Sequence, residues 1–162
     1  IYGVAGAPTG CSSETLDQEY DGSADFGVHS GVDTRWQSFQ VGSSGKISSI
    51  EIYCTEASGT ENIEMRWGTG TDLSSSYSGR ETVSVSTTGW TKFTFETKGD
   101  VSTGTTYYFA IQGEEASYII FGGDNTSSSY SGGNYFFGTS SWGIGTTFAN
   151  RDMLFRVNLC AD

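Results

Sequence analysis

Two groups of oxygen-bearing side chains near opposite ends of the chain are of the type that binds a hard cation. The candidate ligands are Asp17, Glu19, Asp21 and Asp25 near the start, and Asn150 and Asp152 near the end. Calcium takes roughly six to eight oxygens from carboxylates, amides and carbonyls in loops. The spacing does not match an EF-hand loop, so a calcium site requires the two groups to meet in space. The alternative is that these residues form solvated acidic turns.

Aromatic residues in the Gly- and Ser-rich second half of the chain are candidates for binding a sugar. An exposed ring stacks on the C–H face of a pyranose, while neighbouring amides and carboxylates bond its hydroxyls. The predicted ligand-binding residues are Trp142, Tyr135, Tyr130, Asp124 and Asn134. Trp142 lies between Ser141 and Gly143 and is the predicted stacking platform. The alternative for Trp142 is that its ring folds back over the edge of the domain.

Catalytic motifs are not recognisable in the sequence. His29 is the only histidine, and it lies in a Gly-rich stretch without a Gly-x-Ser-x-Gly elbow that would supply a serine nucleophile. The three cysteines lack the spacing of a metal site. A glycosidase needs two carboxylates at a defined separation, which is a spatial property that no motif here indicates. We therefore expect a protein that is not an enzyme.

Charge and cysteine content restrict the partners and the compartment. Eight Lys and Arg against nineteen Asp and Glu give a net charge of -11, which disfavours nucleic acid and anionic membranes. No stretch approaches the roughly 20 apolar residues of a membrane-spanning helix, so no membrane insertion is expected. The Ser-, Thr- and Gly-rich composition is typical of a secreted or cell-surface protein. We expect a disulfide between Cys11 and Cys160, with Cys54 left as a buried thiol.

Alternating apolar and polar residues, interrupted by Gly, Ser, Asn and Asp clusters, predict an all-β chain. The clearest predicted strands are 35–41, 47–54, 62–67, 80–85, 91–95, 106–112, 117–121, 134–137 and 153–159. The predicted interior residues are Phe39, Ile50, Ile52, Met65, Trp67, Phe93, Phe95, Phe109 and Phe155. Strands that each place a row of apolar side chains on one face favour a two-sheet antiparallel β-sandwich of the jelly-roll type, formed by residues 11–162. Residues 1–10 are predicted to be a separate tail.

Four segments of the chain carry a resemblance to a known class of module. They are Trp36-Gln37-Ser38-Phe39 with residues 47–53, then residues 89–95, residues 104–109 and residues 152–157. From about Leu16 onward the chain resembles β-sandwich accessory modules of secreted and cell-surface bacterial proteins, which are similar to jelly-roll carbohydrate-binding modules. The resemblance implies a non-enzymatic role, glycan binding in some members, and in others a structural calcium ion where the first and last strands meet.

The expected function is therefore a non-catalytic extracellular carbohydrate-binding or adhesion module, stabilised by calcium, whose partner is a glycan or cell-surface polysaccharide. The alternative is a structural subunit of an extracellular filament or surface assembly. The apolar tail Ile1-Tyr2-Gly3-Val4-Ala5-Gly6-Ala7 is of a kind that completes a neighbour's sheet by strand addition, which would give a homopolymer.

Overall fold

The computed structural model describes residues 11–114, 118–125 and 130–161, and within these ranges the chain forms strands and turns. The strands are β1 (Ser13–Tyr20), β2 (Phe26–His29), β3 (Arg35–Gln40), β4 (Gly45–Ala57), β5 (Glu61–Gly68), β6 (Gly79–Val85), β7 (Gly89–Thr94), β8 (Asp100–Val101), β9 (Thr106–Gly113), β10 (Ile119–Asp124), β11 (Tyr135–Gly138), β12 (Ile144–Phe148), β13 (Asp152–Met153) and β14 (Phe155–Ala161). The predicted tail, residues 1–10, lies outside the described residues, so strand addition through it stays a prediction. Among the described residues there is no helix long and apolar enough to cross a membrane.

The strands form two antiparallel sheets packed face to face, which confirms the predicted β-sandwich. An eight-stranded sheet follows the order β1-β14-β4-β10-β13, with β2 paired to β10 and both β7 and β8 paired to β4. A six-stranded sheet follows the order β12-β11-β3-β9-β5-β6. The first and last strands, β1 and β14, lie side by side, as expected for a jelly roll.

Alternation along the strands explains which side chains form the core between the sheets. On β4, Ile50, Ile52 and Cys54 face inward and are fully buried, because successive side chains of a strand point to opposite faces. Each of the nine predicted interior residues is no more than 1% exposed. The predicted Cys11–Cys160 disulfide is formed, and Cys54 is a free buried thiol.

A smaller apolar cluster lies on the outer face of the six-stranded sheet. It contains Trp36, Leu73, Ala110 and Trp142, and Tyr108, Phe136 and Ile144 pack against it. Two loops, residues 69–78 and 139–143, cover this part of the sheet and are joined by main-chain hydrogen bonds such as Leu73 N–H to the carbonyl of Trp142. The outer face is therefore closed at one end by these loops.

Candidate functional site

Trp142 is buried, so the prediction that it is an exposed stacking platform is wrong. Its side chain is only 5% exposed, and the guanidinium carbon of Arg66 lies 4.1 Å from the centre of its ring. Arg66 also donates hydrogen bonds to the carbonyls of Leu73 and Ser74, which holds the neighbouring loop in place. The cation–π contact and the apolar cluster below draw the indole onto the sheet. The alternative, a ring folded over the sandwich edge, is the one observed.

The other predicted sugar-binding residues are not brought together around one exposed ring. Tyr135 is 4% exposed and packs between Phe26 and Phe148. Asp124 is buried and accepts a hydrogen bond from the Tyr20 hydroxyl. Tyr130 and Asn134 do line a common surface groove. Tyr135 and Asp124 are buried although they lie at the ends of strands, because side chains at strand ends also pack inward.

The six candidate calcium ligands do not converge on one coordination shell. Asp17 accepts the backbone N–H groups of Gly42 and Ser43 at 2.8 and 2.9 Å, and Glu19 is paired with Arg156 at 2.7 Å. Among the described residues no group of three or more His, Cys, Asp or Glu side chains is arranged to hold a metal ion. The further candidates Asp21, Asp25 and Asn150 are exposed. The two chain ends do meet through β1 and β14, but Asp152 lies on β13 and pairs with β10 instead.

Asp152 and Asp124 form a buried pair of carboxyl groups. They are register partners on β13 and β10, and they are 1% and 6% exposed. One Asp152 oxygen accepts the Gln37 amide at 2.8 Å, whereas its Oδ2 is buried without a hydrogen-bond partner among the described residues. Burial, together with the nearby negative charge of Asp124, raises the pKa of Asp152 to about 6. The Gln37 amide and the backbone N–H of Tyr130 oppose this rise.

The raised pKa predicts that the protein loses stability as the pH rises. The unfolded carboxyl has a pKa of about 3.9, so the folded state holds more protons between about pH 4 and 6. The free energy of unfolding that Asp152 contributes through this proton binding is fully present below about pH 4 and is lost above about pH 6. In EDTA, Asp152→Asn should therefore be about 1–2 kcal/mol more stable than the wild type at pH 8 and gain nothing at pH 4.

Urea denaturation at the two pH values measures this difference in the free energy of unfolding. Asp100→Asn is the matched control, because it removes one negative charge at an exposed position. A gain from Asp152→Asn that is equal at both pH values would contradict the prediction.

A second aromatic site lies on the outer face of the eight-stranded sheet. Tyr53 on β4 and Trp90 at the start of β7 are register partners with half-buried rings, whose centres lie 5.3 Å apart at an angle of 71°. The two rings form a corner of a cavity of about 270 Å³, here called the Trp90 pocket. It is lined by Asp21, Gly22, Ala24, Tyr53, Trp90, Leu154 and Arg156.

Arg156 fixes one wall of the Trp90 pocket. Its guanidinium carbon lies 3.9 Å from the centre of the Trp90 ring. Its Nε–H donates to Glu19 at 2.7 Å, and its Nη1 lies 3.8 Å from a carboxylate oxygen of Glu51, a distance too long for a hydrogen bond. A guanidinium carries five N–H donors, and within the described ranges only the Nε–H of Arg156 has a hydrogen-bond partner, so the others can bond a ligand.

Asp21 completes the Trp90 pocket with an acceptor. The residue is exposed and makes no hydrogen bond or ion pair with the described residues. An aromatic corner, a guanidinium and an exposed carboxylate together match a ligand that has an apolar face and hydroxyl groups around its rim.

The alternation of the strands contained a signal for the Trp90 pocket. Asp21 was predicted as a calcium ligand and the two rings were not predicted as a site, although Ile52 and Cys54 point into the core and therefore place Tyr53 outside. By the same period, the inward Phe93 on β7 places Trp90 on the outer face, beside Arg156 of β14. The pairing of β4 with both β7 and β14 brings the three side chains together, and that pairing is a long-range property.

No protein-family model matches the chain, and a search of curated proteins finds no similar sequence.

Proposed function

We propose that the protein is a non-catalytic extracellular module that binds a neutral polysaccharide at the Trp90 pocket. The observation that carries the proposal is the convergence of the Tyr53–Trp90 corner with the Arg156 guanidinium and the Asp21 carboxylate, which has no partner in the described part of the chain. A pyranose ring presents C–H groups to such a corner while its hydroxyls bond the guanidinium and the carboxylate. The disulfide is compatible with the extracellular location that we propose.

The charges around the pocket support binding rather than cleavage. Glycoside hydrolysis uses two carboxyl groups on either side of the scissile bond. Among the described residues, Asp21 is the one open carboxylate at the pocket, because Glu19 and Glu51 face Arg156. The net charge of -11 also favours a neutral glycan over a polyanionic one.

Substitution in the Trp90 pocket tests the proposal directly. The wild type should bind at least one member of a panel of neutral polysaccharides and should not bind alginate or heparin. Asp21→Asn and Trp90→Ala should each weaken that binding by about 10- to 100-fold, which corresponds to one or two lost contacts of about 1–3 kcal/mol in total. Affinity electrophoresis measures the binding, and circular dichroism checks that the variants are folded.

A matched control is Tyr118→Ala, which removes a ring that is 46% exposed and does not line the Trp90 pocket. Its binding should equal that of the wild type. Unchanged binding by both pocket variants would place the sugar elsewhere and contradict the proposal. Because Asp21 is exposed, Asp21→Asn reports on binding without disturbing the core.

Calcium is part of the proposal as a stabilising ion. The buried pair Asp124 and Asp152 is the site that we propose for this ion, because a cation would relieve the repulsion between the two carboxylates. Excess calcium should then raise the melting temperature relative to EDTA, and Asp152→Asn should remove that rise. A melting temperature that is independent of calcium at pH 8 would contradict this part of the proposal.

A further inference from the structure

The outer face of the six-stranded sheet carries a second groove, on the opposite side of the sandwich from the Trp90 pocket. Its volume is about 370 Å³, and it is here called the Tyr108 groove. It is lined by Ser38, Thr106, Tyr108, Tyr130, Ser131, Gly132, Gly133, Asn134 and Phe136. It lies beyond the part of the face that the two covering loops close.

Half-buried aromatic rings form the apolar wall of the Tyr108 groove. Tyr107 and Phe109 of β9 point into the core, so Tyr108 points outward. Its ring centre lies 6.1 Å from that of Phe136 and 6.3 Å from that of Trp36, both in tilted or edge-on contacts. These contacts fix the ring, while its hydroxyl makes no hydrogen bond to the described part of the chain.

The opposite wall of the groove is held rigidly by the backbone. The Ser38 N–H donates a hydrogen bond to the Asn134 carbonyl at 2.9 Å. The Asn134 N–H in turn donates to the Ser38 hydroxyl at 2.8 Å. A Cβ at Gly133 would lie 1.7 Å from the Ser38 carbonyl oxygen, so only glycine allows this close approach. The groove is therefore preorganised, which lowers the entropic cost of binding a ligand.

The composition of the groove selects a neutral, hydroxylated ligand. None of its nine lining residues is charged, although the chain as a whole has a net charge of -11. Hydroxyl groups, backbone amides and aromatic rings remain, and these groups bind the hydroxyls and the C–H faces of a sugar. An ionic ligand would find no counter-charge here.

We propose that the Tyr108 groove is a second binding site for a neutral glycan. The two sites lie on the outer faces of opposite sheets, so one molecule bridges two polysaccharide chains. This inference rests on the proposed function of the Trp90 pocket. It extends that function from attachment to cross-linking, with a gain in avidity on dense polysaccharide surfaces.

Stoichiometry tests the second site. In a titration calorimeter, a short oligosaccharide of the polysaccharide that the wild type binds should saturate at two molecules per protein. Ser131→Glu places a carboxylate at an exposed edge of the groove and should reduce this to one, with the fold intact. Tyr108→Phe, which keeps the ring, should weaken only the groove site, by about 3- to 10-fold for one lost hydrogen bond. Asp21→Asn should weaken only the Trp90 pocket.

Cross-linking by the protein, shown to be a monomer by light scattering, provides the second measurement, because a monomer produces turbidity of the soluble polysaccharide only if it has two sites. The wild type should produce turbidity, and Ser131→Glu and Asp21→Asn should each abolish it. A stoichiometry of one is the result that overturns the second site, if Asp21→Asn weakens the binding and Ser131→Glu leaves it unchanged. The proposed function then stands. If the stoichiometry is one and Ser131→Glu weakens the binding while Asp21→Asn leaves it unchanged, both the Trp90 pocket as a sugar site and the cross-linking of two chains are overturned. No binding to any neutral glycan overturns both proposals.

Discussion

Trp142→Ala should lower the free energy of unfolding by about 3–5 kcal/mol, the usual cost of truncating a buried aromatic residue. The indole is 5% exposed, and its removal opens a cavity beside Trp36 and Leu73. It also takes away the ring that faces the Arg66 guanidinium at 4.1 Å. Urea denaturation followed by tryptophan fluorescence measures the loss, while glycan binding at the Trp90 pocket should be retained by the folded fraction.

The backbone at Trp142 supplies a second variant for the same test. Trp142 has a φ of 63°, in the left-handed region, which costs a non-glycine residue about 1–2 kcal/mol. Trp142→Gly loses the same ring but relieves this strain, so it should be about 1 kcal/mol more stable than Trp142→Ala. Tyr118→Ala, at a position 46% exposed, is the control and should change stability by less than about 0.5 kcal/mol. Loss of sugar binding without loss of stability would restore Trp142 as the stacking platform.

The interior of this fold could be predicted from sequence because it follows a period of two. Phe93, Phe109 and Phe155 lie in alternating rows, and each is buried where the alternation places it. The strands that escaped prediction are mostly short or at the edges. In β1 only Tyr20 is buried, and a bulge between Leu16 and Gln18 interrupts the register. Such a strand is held by the ladder with β14 and not by a core row, so its sequence carries little alternation.

The candidate site could be predicted only in its chemistry and not in its position. Aromatic residues beside acids and amides were expected, but the expectation settled on Trp142, whose loop gives no period from which burial can be inferred. The partner that buries it, Arg66, lies on β5 and is distant in sequence. Trp90 was not predicted to bind a ligand, and its place on β7 opposite Tyr53 leaves its ring at a pocket.

Replacing both disulfide cysteines, in Cys11→Ser/Cys160→Ser, should lower the free energy of unfolding by about 4–5 kcal/mol. The bridge joins residues 149 positions apart, and a closed loop of this length removes much entropy from the unfolded chain. Urea denaturation of the oxidised wild type against the double variant measures the difference. Cys54→Ala keeps the bridge and is the control, with an expected cost of about 1 kcal/mol for a small buried side chain.

The same variant should also act on the Trp90 pocket, because the disulfide holds the strand that supports it. β1 is an edge strand with little buried surface, and it carries Glu19, the partner of the Arg156 Nε–H. Without the bridge, the β1 amides should exchange with solvent faster than the lower global stability alone explains. The amides of the central strand β9 should speed up only by the amount that the lower free energy of unfolding predicts. Arg156 would then lose its orientation over Trp90, so sugar affinity should fall while the fold persists. Equal exchange rates in β1 with and without the bridge would show that the β14 ladder alone fixes the strand.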